Sequence, residues 1–180
     1  MKILIAGLGN PGNKFEHTRH NAGFLAVAKF QKANDFPAFQ EEKKFQALLA
    51  KKQIDGKEII LALPQTFMNL SGEAIKKISA YYKIAPADII IIHDDLDISL
   101  GKYKIARDRS SAGHKGVQSI IEALGTKDFS RIRIGIDIEN KKIPTEAFVL
   151  ENFSKEEQKI IDEVVEKVCE EIEFLIKKLT

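Results

Sequence analysis

Apolar positions along the chain alternate between two periods. Short β-branched runs predict strands over residues 2–8 (KILIAGL), 45–54 (FQALLAKKQI), 58–63 (EIILAL), 88–93 (DIIIIH), 101–106 (GKYKIA) and 131–137 (RIRIGID). Helical spacing predicts helices over 22–34, 70–83, 115–124 and 155–178. The runs ILIA and IIII are apolar on both faces and belong at the centre of a sheet. Asp55–Gly56 reads as a hairpin turn between the second and third strands. Ser154 followed by Glu157 is a capping box, and Ile160, Ile161, Val164, Val165, Val168, Ile172, Leu175, Ile176 and Leu179 continue as one apolar stripe. The expected fold is α/β: a single-domain three-layer sandwich, with a central twisted mixed β-sheet flanked by helices and an amphipathic C-terminal helix.

At 180 residues, 44% apolar and 30% charged, the chain is expected to form one globular domain over 1–180. No apolar run approaches the roughly 18 residues of a membrane span, and Met1 leads almost directly into a core strand. A cytoplasmic protein without a membrane role is expected. The single cysteine, Cys169, borders the apolar stripe and excludes an internal disulfide. Net charge is unevenly spread: nine acids against five lysines in 151–180 give −4, which leaves +6 for residues 1–150 out of the total of +2. The densest basic stretch, KYKIARDRSSAGHK over 102–115, suits either a polyanion or a solvated hairpin.

The first strand ends in GLGNPG, residues 7–12, which matches G-x-G-x-x-G. A dinucleotide fingerprint requires that loop to open directly into a helix and an acid to end a second strand about 20 residues on. Here NKFEHTRHN intervenes, the next element is a helix, and Asp35 lies on the wrong element. The fingerprint therefore fails on context. What remains is a sharp turn that sets Asn10 at the carboxyl edge of the sheet, stiffened by Pro11.

Other polar clusters are expected at the same rim. His20 lies in TRHN, just before a helix, and an acid from HDDLD (93–97) can orient it as a base. Spacing does not choose among Asp94, Asp95 and Asp97. PQTFMNLSG (64–72) and SSAGHKG (110–116) each precede a helix whose free N–H groups suit an anion or oxyanion. His17, His20, His93, His114 and the three aspartates also supply metal-ligand types, but no zinc-site spacing occurs among them.

Taken in order, GLGNPG, TRHNAG, TFMNLSG, HDDLD, GHKG and RIRIGI resemble the bacterial-type peptidyl-tRNA hydrolase family over nearly the whole chain. The resemblance implies cleavage of the ester between a peptide and the 3′-terminal ribose of tRNA, with no metal or organic cofactor. It implies His20 as general base, Asp94 as the carboxylate that holds it, and Asn10 as the group that distinguishes an N-blocked peptide. Phe67, Met68 and Asn69 would meet the substrate near the 3′ CCA end, with Phe15 and His114 beside them. Arg133 would hold an acceptor-stem phosphate, partnered by Lys104 or Arg107. A monomer that acts on peptidyl-tRNA is expected.

Two positions depart from the family pattern. Lys115 stands where the family carries Asn, and offers N–H donors and charge but no acceptor. Phe15 stands in place of Tyr and loses a hydroxyl. Many relatives also continue beyond the last helix as a polar tail, whereas this sequence stops at Thr180. The competing reading is a non-hydrolytic RNA-binding relative of the same fold.

Overall fold

The computed structural model describes residues 1–139 and 143–179; Thr180, the last residue of the expected domain, lies outside them. Seven strands form one sheet: β1 (Lys2–Gly7), β2 (Gln40–Glu42), β3 (Ala47–Ile54), β4 (Lys57–Pro64), β5 (Ile89–Ser99), β6 (Tyr103–Arg107) and β7 (Ser130–Asp137). Their order is β2-β3-β4-β1-β5-β7-β6. The central β4, β1, β5 and β7 run parallel, and β2, β3 and β6 are antiparallel to their neighbours. The helices are α1 (Ala22–Ala33), α2 (Ser71–Tyr82), α3 (Lys115–Leu124), α4 (Thr145–Phe148) and α5 (Lys155–Lys178).

Strand alternation divides the core in two. Ile3, Ile5, Ile90, Ile92, Ile132 and Ile134 face α1 and α5, where Val27, Phe30, Val164, Val168 and Ile172 pack. Leu4, Ala6, Ile60, Ile89 and Ile91 face α2 and α3, where Ile75, Ile78, Val117 and Ile120 pack. Both faces of β1 and β5 are therefore buried, the arrangement that continuous apolar strands require. Asp55 and Gly56 turn the β3–β4 hairpin with φ of 50° and 75°, the paired left-handed values of a type I′ turn. Ser154 Oγ accepts from the Glu157 N–H while Glu157 accepts from the Ser154 N–H, so the capping box starts α5.

Several boundaries differ from the pattern-based expectation. β5 runs on through HDDLD to Ser99, because its polar end still pairs with β7. β3 starts at Ala47, after Gln46 turns left-handed at φ 52°. β2 and α4 are too short to leave a periodic signal. The glycine turn serves close packing. A Cβ on Gly7 would lie 2.3 Å from the Gly23 carbonyl oxygen, and one on Gly23 would lie 2.3 Å from that of Ile92. The N-terminus of α1 therefore presses directly on β1 and β5, which holds the 13–21 loop against the sheet edge. Among the described residues, no helix is long and apolar enough to cross a membrane.

Candidate active site

The parallel strands β1, β4 and β5 all end at one rim, where a cavity of about 690 Å³ opens. Asn10, Phe15, His20, Phe67, Met68 and Asn69 line it from the loops after β1 and β4. Asp94–Asp97 enter from β5, Ala112–Lys115 from the start of α3, and Thr145, Glu146, Val149 and Leu150 from α4 and its exit.

Asn10 is rigidly held. Its N–H donates to Asn21 Oδ1 (2.9 Å) and its carbonyl accepts from Asn21 Nδ2 (3.0 Å). Its own Oδ1 accepts from the Met68 N–H at 2.8 Å, so the planar amide turns its NH₂ group the other way as a donor.

Asp94 was one of three candidate acids, and it is the one that meets His20. His20 Nδ1 lies 2.9 Å from each Asp94 oxygen, and His114 Nε2 lies 2.9 Å from Oδ1. Asp94 is 1% exposed. Burial alone would raise its carboxyl, but the charge and hydrogen bonds of the two imidazoles outweigh burial and hold it well below the usual carboxylate range. Nδ1 of His20 therefore carries the hydrogen, and Nε2 keeps a lone pair for an incoming proton.

His114 is fixed differently. Its Nδ1 accepts from the Val117 N–H (3.2 Å) at the start of α3, so Nε2 carries the hydrogen donated to Asp94. Both nitrogens are engaged, and His114 lines the cavity. Beneath it His93 packs edge-on, with centroids 4.7 Å apart, and donates Nδ1–H to the Asp94 carbonyl at 2.7 Å. Burial, and then the neighbouring His114, push His93 well below the ordinary histidine value, so it stays neutral.

His20, Asp94 and His114 are the one His/Asp group among the described residues whose ligand atoms come within 4.8 Å of one another. A metal held through His20 Nδ1 and His114 Nε2 would take the two nitrogens that donate hydrogens to Asp94. Metal binding there would displace both, and would cost His114 its Val117 bond. His17 is exposed and does not line the cavity.

The rim residues differ in exposure. Met68 is buried beneath Asn10, whereas Phe67 is 59% exposed and Asn69 and Lys115 are open to solvent. Phe15 is half-buried under the Lys14 ammonium. Arg133 does not line the cavity; its Nε donates to Asp95 Oδ2 at 2.7 Å. Lys104 pairs in register with Arg133 across β6 and β7, whereas Arg107 is tied to Asp128 at 2.7 Å. The structure therefore sets Lys104, not Arg107, beside Arg133. No local pattern marks Arg19, which is buried and bonded to Glu157, a residue 138 positions away.

The family model for peptidyl-tRNA hydrolase matches residues 4–180. The chain is 47% identical over 169 residues to a peptidyl-tRNA hydrolase of Fusobacterium nucleatum, covering 93% of this chain and 85% of that protein. It is 40% identical over 175 residues to one of Shouchella clausii, covering 97% and 94%. The crystal structure of peptidyl-tRNA hydrolase from Acinetobacter baumannii superposes with a TM-score of 0.91 at 32% identity, covering 98% of this chain and 89% of that one.

Proposed function

The chain belongs to the peptidyl-tRNA hydrolase family, and from that premise we propose that it hydrolyses the ester joining a peptide to the 3′-terminal ribose of tRNA. The observation that carries the mechanism is the His20–Asp94 pair, set 2.9 Å apart in the cavity that Asn10 lines.

In this mechanism His20 Nε2 takes a proton from water as the water oxygen attacks the ester carbonyl. Asp94 stabilises the imidazolium through Nδ1–H, a contribution of about 10²–10⁴ in rate for a well-placed base. The Asn10 NH₂ group, with N–H groups near Gly113, meets the oxyanion. One such donor contributes about 10²–10³. The tetrahedral intermediate then expels the ribose oxygen, which takes the proton back from His20. The products are a peptide carboxylic acid and tRNA with a free 3′-terminal hydroxyl.

Phe67 offers an exposed ring for a 3′-terminal base, with Met68, Asn69 and Phe15 beside it. Lys115 supplies charge at the start of α3, and Arg133 with Lys104 holds an acceptor-stem phosphate. Residues 1–180 act as one monomeric module in the cytoplasm, without a metal or organic cofactor. The intact base–carboxylate pair disfavours a relative that binds RNA without cleaving it.

The test is release of N-acetyl-aminoacyl groups from tRNA, with and without EDTA, by the wild-type protein and by His20→Ala. Release that survives EDTA and is lost in the variant is expected. Release blocked by EDTA, or binding of tRNA without release, contradicts the reading.

A further inference from the structure

Arg19 stands immediately before the base and is itself only 4% exposed. Its Nη2 meets both Glu157 oxygens at 2.9 Å, and its Nη1 donates to the Asn152 carbonyl at 2.6 Å. The guanidinium lies 4.5 Å from the Phe148 ring centroid and 5.4 Å from that of Phe153. Glu157 is at the same time the carboxylate of the capping box, accepting from the Ser154 N–H at 2.7 Å. One acid therefore serves both the start of α5 and the loop that carries His20.

Main-chain contacts run beside this ion pair. The Arg19 N–H donates to Glu151 O (3.0 Å), the His20 N–H donates to Val149 O (2.8 Å), and Thr18 pairs with Asn152 as an antiparallel bridge. Val149 and Leu150 form one wall of the cavity that His20 lines. Burying a guanidinium is costly unless its hydrogen bonds and charge are met. Lysine would keep the charge but lose the fork that grips carboxylate and carbonyl together.

We propose that Arg19 is a positioning residue for the hydrolysis: through Glu157 and Asn152 it fixes the loop so that His20 meets Asp94, and it couples the base to the Val149–Leu150 wall. The role in turnover rests on the hydrolase reading above; the placement of the His20 ring does not. Misplacing a reacting group by about an ångström can cost about 10²-fold in rate.

The test uses Arg19→Lys, Arg19→Gln and Glu157→Gln, each assayed on N-acetyl-aminoacyl-tRNA below its own melting temperature, with ¹⁵N NMR of the His20 ring. For the Arg19 variants, kcat is expected to fall about 10- to 100-fold while KM changes by less than about threefold. Their His20 signals are expected to move from the single Nδ1–H tautomer to a mixture. Glu157→Gln, which keeps an acceptor, should fall between these variants and wild type. A purely structural role would lower melting temperature alone, so folded variants with wild-type kcat and unchanged ring signals overturn the proposal. If Arg19→Gln does not fold, Arg19→Lys and Glu157→Gln decide. If the wild-type protein releases nothing, the hydrolase reading fails and the ring signals alone decide the role of Arg19.

Discussion

His114 Nε2 and His20 Nδ1 converge on the same oxygen of Asp94, each at 2.9 Å. The two rings do different work. The Val117 N–H occupies the other nitrogen of His114 and sets its tautomer, whereas in the proposed mechanism the other nitrogen of His20 serves the attacking water. His114→Ala should therefore remove one of the two donors that orient the carboxylate and lower kcat by about tenfold, with KM nearly unchanged. His114→Gln, which keeps an N–H, should recover part of the loss. Steady-state kinetics on N-acetyl-aminoacyl-tRNA check both.

Acid should act on stability through two buried groups. His93 has a folded value below its unfolded value of about 6.5, so only the unfolded chain takes up that proton as pH falls past this point. Its contribution is complete above about pH 6.5 and is lost progressively below it. Asp94 follows the same sign lower down: its contribution is present above about pH 4 and lost as pH falls toward its depressed folded value. His93→Gln removes the upper group while keeping a donor for the Asp94 carbonyl. Urea unfolding at pH 7.5, 6 and 5 should show a shallower loss of stability for that variant than for wild type.

Lys104 is expected to act on affinity alone, and Arg133 on affinity and, through Asp95, on the site. Neither lines the cavity, and each would neutralise about one phosphate. Lys104→Ala should raise KM about tenfold at unchanged kcat, whereas Arg133→Ala should raise KM and also lower kcat by freeing Asp95 beside Asp94; each should reduce the slope of log K against log salt by about 1. Arg107→Ala, three residues on and so on the opposite face of β6 from Lys104, should change neither. Salt-dependent tRNA binding separates the three.

Much of the sheet was legible because both faces of β1 and β5 are apolar, and α5 because its capping box and stripe lie in one segment. The rim was legible as polar clusters that follow apolar strands. Which acid meets His20 was not, since Asp94, Asp95 and Asp97 are chemically alike. The choice depends on the β5–β7 register and on Arg133 engaging Asp95 instead. The Arg19–Glu157 contact joins residues 138 apart and leaves no local pattern. The strand extension through HDDLD was hidden because its polar groups are satisfied by site residues, not by apolar packing.

The close approach of α1 to the sheet also makes a stability prediction. A Cβ at residue 23 would sit 2.3 Å from Ile92 O and 2.6 Å from Leu8 N, both backbone atoms that cannot rotate away. Gly23→Ala should destabilise by about 1–3 kcal/mol, the usual cost of overpacking. Because α1 begins directly after His20 and Asn21, activity should fall with stability. Thermal denaturation read beside the release assay checks this.

Single-turnover release from N-acetyl-aminoacyl-tRNA by Asp94→Asn tests most directly whether an imidazole oriented by this carboxylate activates the water. The substitution keeps the shape of the side chain but no longer stabilises the imidazolium. The expected result is a rate about 10²–10⁴-fold below wild type with tRNA binding retained. A variant that binds tRNA and releases the acyl group at the wild-type rate would contradict the account.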